Sequence, residues 1–196
     1  MANLSTTLLM IIGAIFIFQM VSDGITEALI FVPSLAFQEP WRFVTSMFLH
    51  GGLMHLFFNA YALFLFGSIL ERKVSRQEYL LIYFGAGLVG GVAYYLTYVL
   101  GIIPSIPALG ASGAIYGLLG AVAVLLPNLR IFVWFIPMTM RQAAILWLVV
   151  EFLGTFNISS GIASAAHLGG LVFGLIFAWY LKKSQADEFS DPWAYR

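Results

Sequence analysis

Six apolar runs divide this chain, at about 4–21, 53–70, 79–100, 112–126, 141–156 and 161–181. Polar or Gly/Pro-containing stretches separate them. A helix satisfies all of its own backbone, so runs of this kind fold as helices when lipid is the solvent. Only 9% of the residues are charged, against roughly 25% in a soluble domain. That is too little polar surface to cover a water-facing globule. The expected fold is an all-α membrane protein, a polytopic bundle of six transmembrane helices in a single domain over residues 1–196. A span needs about 20 apolar residues, so the fourth and fifth runs are short. The short fourth run is expected at the centre of the bundle, its ends facing protein or water rather than lipid.

The basic residues orient the bundle. With six alternating spans, Arg72, Lys73, Arg76, Arg130, Arg141, Lys182, Lys183 and Arg196 fall on one side; these are eight of the nine Lys and Arg. Only Arg42 falls on the other, with Asp23, Glu27 and Glu39. The positive-inside rule puts both termini in the cytoplasm. The first run lacks the basic flank of a secretory signal and reads as a retained span. The expected location is a prokaryotic plasma (inner) membrane, multi-pass. Net charge is zero, which gives no reason to expect nucleic acid. The absence of cysteine removes disulfides, thiolate metal sites and a cysteine nucleophile. In the long segment 22–52, Trp41, Arg42, Phe43 and Phe48 suit the headgroup region. The piece "IFVWFIP" at 131–137 reads as interfacial and is too short to span.

Polar side chains within apolar runs are costly and mark function. His55 and Asn59 are i and i+4, on one face of the second helix. His50 stands at its entry, Ser112 at the outer start of the fourth run, and His167 near the outer start of the sixth. Three helices thus bring polar groups to one depth. Gly110, Gly113, Gly117 and Gly120 line one stripe, and Ala166, Gly170 and Gly174 another, as close-packing helices require. Packing through these faces brings His167 within hydrogen-bond reach of Ser112, the geometry of a Ser–His nucleophile. Taken singly, the glycines are a packing device and the serine bonds to its own helix. Three histidines without a carboxylate or HExxH pair make a poor hydrolytic zinc pattern, and no metal is expected.

The pieces "WR" at 41–42, "HGGLMHLFFN" at 50–59, "ER" at 71–72, "GASG" at 110–113 with Tyr116, and "AHLGGLVFG" at 166–174 occur in an order that resembles the rhomboid family of intramembrane serine proteases. The resemblance covers nearly the whole chain and implies the minimal six-span form. It implies Ser112 as nucleophile and His167 as general base and then acid. Asn59, His55 and the Ser112 backbone N–H would form the oxyanion hole. His50 would brace the outer loop by hydrogen bonds, and Tyr116 would stack beside His167. Trp41 and Arg42 would stabilise the first outer loop, half-embedded in the outer leaflet. Glu71 and Arg72 would tie helix ends on the cytosolic side. Gly110 and Gly113 flank the nucleophile.

The family works with a dyad and needs no cofactor. Glu151 is the only candidate for a third member here, and the resemblance assigns it no role. The implied partners are single-span transmembrane substrates and the lipid bilayer. Entry between the second and fifth spans, beneath a cap at 152–162, is part of the same expectation. A small transporter fits the spans but predicts paired internal repeats, which are absent. A non-cutting escort fits the fold, and the intact Ser112 and His167 argue against it.

Overall fold

The computed structural model describes residues 3–133, 135–157 and 163–190. Part of the expected cap, 158–162, and Arg196 lie outside the described residues. Helix α1 (Leu4–Val21) begins at Asn3, whose side chain accepts the Thr6 N–H at 3.1 Å. Helix α2 (Leu53–Leu70) follows Gly52, which takes φ +154°, and widens into a π-helical turn over Leu63–Gly67. Helix α3 (Arg76–Val99) opens with a capping box in which Ser75 and Glu78 satisfy each other's backbone N–H. Helix α4 (Ser112–Leu125) is followed by strands β1 (Arg130–Val133) and β2 (Ile136–Thr139). Helix α5 (Met140–Gly154) carries a second capping box, Thr139 with Gln142. Helix α6 (Ser164–Ser190) closes the described chain.

Four of these helices are long and apolar enough to cross a membrane: α1, α2, α3 and the Ser164–Ser184 part of α6. Helices α4 and α5 are shorter, at 14 and 15 residues. The boundaries move from the apolar runs where caps decide them. Ser75 starts α3 three residues before the third run, because the N-cap and not hydrophobicity opens a helix.

The molecule has a membrane protein's inverted surface. Phe57, Phe64, Ile145, Phe152 and Trp179 are each more than half exposed, a surface that lipid solvates and water does not. Helix α4 is the reverse: ten of its 14 residues are buried. Its neighbours come close because small residues face one another. A Cβ on Gly120 would stand 2.6 Å from the Leu171 carbonyl oxygen, and one on Gly90 would stand 2.5 Å from that of Ala166. Small faces on α3 as well as on α4 and α6 therefore set the spacing, backbone against backbone.

One feature departs from an all-α fold. Strands β1 and β2 pair antiparallel, with Arg130 opposite Thr139 and Val133 opposite Ile136. β-branched and aromatic residues favour the pleated form, and pairing satisfies backbone groups that a segment too short to span leaves over. Phe132 and Phe135 are strongly exposed there.

Two polar ties hold the ends of the bundle. Glu71 accepts hydrogen bonds from the N–H of Leu4 and, at 3.3 and 2.8 Å, from the N–H and hydroxyl of Ser5. The Ser5 hydroxyl also bonds the Tyr79 hydroxyl at 2.9 Å. A carboxylate at a helix N-terminus is well placed for the dipole. Arg72 is exposed and takes no part, so the tie is made by Glu71 with Ser5 and Tyr79 rather than by the "ER" pair. In the segment before α2, the buried Arg42 guanidinium donates to the carbonyls of Glu27 and Ile30, both at 2.7 Å, and pairs with Glu39. The Thr45 hydroxyl donates to the Leu29 carbonyl at 2.8 Å. Trp41 is half exposed.

Candidate active site

Ser112 is the first residue of α4, and Gly110 just before it sits at φ +125°, a backbone conformation that favours glycine. The Gly110 N–H donates to the Ser46 carbonyl at 2.9 Å, which pins this turn to the segment before α2. The first N–H groups of a helix have no intrahelical carbonyl to bond, so donors remain available around Ser112.

His167 lies in the first turn of α6. Its Nε2 is 2.7 Å from the Ser112 Oγ. The ring stacks on Tyr116, with centroids 4.5 Å apart and planes 7° from parallel. Tyr116 is one helical turn after Ser112, so one face of α4 carries both groups. On the far side of His167 stands Glu151 of α5, which is buried. The Tyr116 hydroxyl donates to Glu151 Oε1 at 2.5 Å. His167 Nδ1 is 3.1 Å from the same oxygen, but it has no partner at hydrogen-bond geometry. The approach is therefore one of charge and proximity, not a made hydrogen bond.

Asn59 and His55 share a face of α2 and line the same cavity as Ser112 and His167, a space of about 1150 Å³. The cavity runs between α2 and α5, past Leu65 and Trp147, to Phe132 of β1. The Asn59 Nδ2 is buried with no hydrogen-bond partner. His55 Nδ1 accepts the Gly51 N–H at 3.4 Å. That assigns its proton to Nε2, which would be 2.9 Å from a Cβ on Gly110.

A scan against known protein families matches residues 38–184 to the rhomboid domain. The chain belongs to the rhomboid family. This rhomboid is 36% identical over 152 residues to the rhomboid protease GluP of Bacillus subtilis (strain 168), covering 77% of this chain and 28% of GluP. It is 36% identical over 143 residues to the putative rhomboid protease YdcA of the same organism, covering 72% and 67%. It is also 29% identical over 153 residues to the mitochondrial Rhomboid protein 1 of Saccharomyces cerevisiae, covering 72% and 42%. The chain thus spans little more than a quarter of GluP's length and about two thirds of YdcA's.

Within this rhomboid, the residues singled out in the sequence fall into two groups. Ser112, His167, Tyr116, His55 and Asn59 surround or line one cavity, with Gly110 and Gly113 beside Ser112. Trp41, Arg42, Glu71 and Arg72 stand away from it. His50 is intermediate. Its ring packs edge-on against His55 at 5.1 Å, but both ring nitrogens are buried without a partner at hydrogen-bond geometry. Its backbone does the bracing, through Gln19 of α1: the His50 N–H donates to Gln19 Oε1 at 2.9 Å, and Gln19 Nε2 donates to the His50 carbonyl at 3.3 Å. Burial, reinforced by His55 and opposed by the nearby Phe48 backbone, pushes the His50 pKa down to about 4.

Gln19 is not singled out in the sequence; Glu151 is, as the only candidate for a third member, but without a role. Gln19 looks like one polar residue in an apolar run. Glu151 carried a usable signal, a carboxylate in an otherwise apolar run.

Proposed function

We propose that this protein is an intramembrane serine endopeptidase whose chemistry is carried by Ser112 and His167. The observation that supports this best is the 2.7 Å separation of Ser112 Oγ and His167 Nε2 beside a cavity. In this reading Ser112 Oγ attacks the scissile carbonyl carbon, and its proton passes to His167 Nε2. The carbonyl oxygen gains the negative charge. Asn59 Nδ2, His55 Nε2–H and the Ser112 backbone N–H donate to it, and the N-terminal end of α4 adds its positive dipole. The unpartnered Nδ2 of Asn59 supports this, since a buried donor without an acceptor is otherwise a loss. The C–N bond then breaks, and His167 gives its proton to the leaving amine. A water, deprotonated by the same His167, hydrolyses the acyl-enzyme and restores the serine. The reaction as written needs no metal or cofactor.

The proposed setting is six spans with α4 short and central. Both termini are cytoplasmic, and the site opens to the outer side of a plasma membrane. The rhomboid domain is taken to extend over residues 1–196. The substrate class is single-span membrane proteins. Such a helix must unwind before its peptide bond can reach Ser112, so helix-breaking residues near the cut reduce that cost. The cavity between α2 and α5 supports lateral entry there.

The test uses protein reconstituted in lipid with a fluorogenic single-span substrate. Wild type cleaves, Ser112→Ala and His167→Ala do not, and a chelator changes nothing. Cleavage by Ser112→Ala removes the assignment.

A further inference from the structure

Glu151 has no place in a two-residue mechanism, yet three features focus it on the site. It is a carboxylate at 5% exposure in an apolar helix, a placement that is expensive unless the charge is used or paired. The Tyr116 hydroxyl of α4 bonds it at 2.5 Å, and Ser164 at the start of α6 lies beside it. Its Oε1 stands 3.1 Å from His167 Nδ1, a buried ring nitrogen with no made hydrogen bond. Tyr116 also stacks flat on the His167 ring. One tyrosine thus fixes both the carboxylate and the plane of the imidazole.

We propose that Glu151 is the positioning residue for His167. It selects the tautomer with the proton on Nδ1, which leaves Nε2 free to accept from Ser112 Oγ. It also stabilises the imidazolium formed when the Ser112 proton arrives. The proton balance is simple. The Ser112 proton rests on Nε2 until the leaving amine takes it, the Nδ1 proton stays on His167, and Glu151 stays ionised throughout. The resting contact is not at hydrogen-bond geometry, and catalytic hydrogen bonds commonly tighten only once substrate is bound. The other titratable groups facing the ring are Tyr116 on α4 and His55 on α2. Neither offers Nδ1 an acceptor in place of the carboxylate.

This proposal rests on the protease reading, and its test separates the two. The protein has only three histidines, so ¹⁵N-histidine NMR of the full chain in bilayers can resolve the ring tautomers without turnover. Wild-type His167 is expected as Nδ1–H, and Glu151→Gln is expected to admit the Nε2–H form. In the cleavage assay, kcat of Glu151→Gln should fall on the order of 10³-fold with KM nearly constant, the behaviour of a serine triad that loses its orienting acid. Glu151→Asp should recover part of that loss. A wild-type His167 found as Nε2–H overturns the proposal even if the variants do not fold. So does a Glu151→Gln variant that keeps the Nδ1–H signature and loses less than about 3-fold in kcat, since a merely structural carboxylate would leave both in place. If wild type shows Nδ1–H but Ser112→Ala cleaves as well as wild type, the protease reading fails and the tautomer result still stands.

Discussion

Gly170→Ala tests whether the glycine contacts between α4 and α6 set the catalytic distance. A Cβ at Gly170 would stand 2.9 Å from the Gly113 carbonyl carbon, and nearer still to its oxygen. The Ala86 carbonyl oxygen lies 3.4 Å away on another side. These are backbone atoms, so no side chain can rotate aside. Ordinary contact begins at 3.4 Å, so the helices must separate by at least about 0.5 Å to clear the carbon alone. Gly170 is one turn from His167, and Gly113 adjoins Ser112. The separation is therefore delivered almost directly across the 2.7 Å Ser112–His167 contact. Stretched to about 3.2 Å, that contact sits at the edge of a hydrogen bond. Overpacking of this kind costs about 1–3 kcal/mol, and a displacement approaching 1 Å costs on the order of 10² in rate. The assay is turnover in proteoliposomes with an unfolding curve alongside. Gly13→Ala in α1 is the control: nothing lies within 4 Å of its Cβ position, and it should leave turnover unchanged. A Gly170→Ala protein with wild-type Tm and wild-type turnover refutes the reasoning.

Two further expectations follow from buried polar atoms. Asn59→Ala should lower kcat by about 10²–10³-fold, the usual worth of one oxyanion donor. Its Tm should hold or rise, because Nδ2 has no partner to lose in the resting fold; a large fall in Tm with kcat intact would instead assign Asn59 to the fold. His50 should make the protein acid-sensitive. Folded, it titrates at about 4; unfolded, it returns to its ordinary 6.5. Between those values the unfolded chain binds the extra proton, so stability falls as pH drops from 6.5 to 4 and the slope ends below that. The window is worth about 3 kcal/mol. His50→Gln should flatten that part of the stability curve, and an unchanged slope would contradict the assignment.

Much of this architecture is legible in the sequence because lipid makes simple demands. Apolar runs mark the helices, and the i,i+4 spacing of His55 and Asn59 puts them on one face whatever their surroundings. The facing glycines of α4 and α6 are visible as stripes, and they are what lets Ser112 and His167 approach. What escapes the sequence depends on contacts between distant segments. Glu151 is 35 residues from Tyr116, and only the packing of α5 against α4 and α6 brings it to the histidine. A search for acids near the motifs in sequence looks in the wrong place. The glycines of α3 repeat the trick of α4 and α6, but no motif draws attention to them. The piece at 131–137 reads as interfacial, and the pairing of β1 with β2 is a tertiary choice between backbone groups.

The central claim is that Ser112 is a nucleophile activated by His167. The most direct measurement is covalent labelling of the lipid-reconstituted protein with a fluorophosphonate, followed by mass spectrometry of the modified peptide. The label is predicted on Ser112 in wild type and is predicted to be lost in His167→Ala while the fold is retained. A wild-type protein that takes no label, takes it on another serine, or takes it on Ser112 at the same rate without His167 contradicts the account.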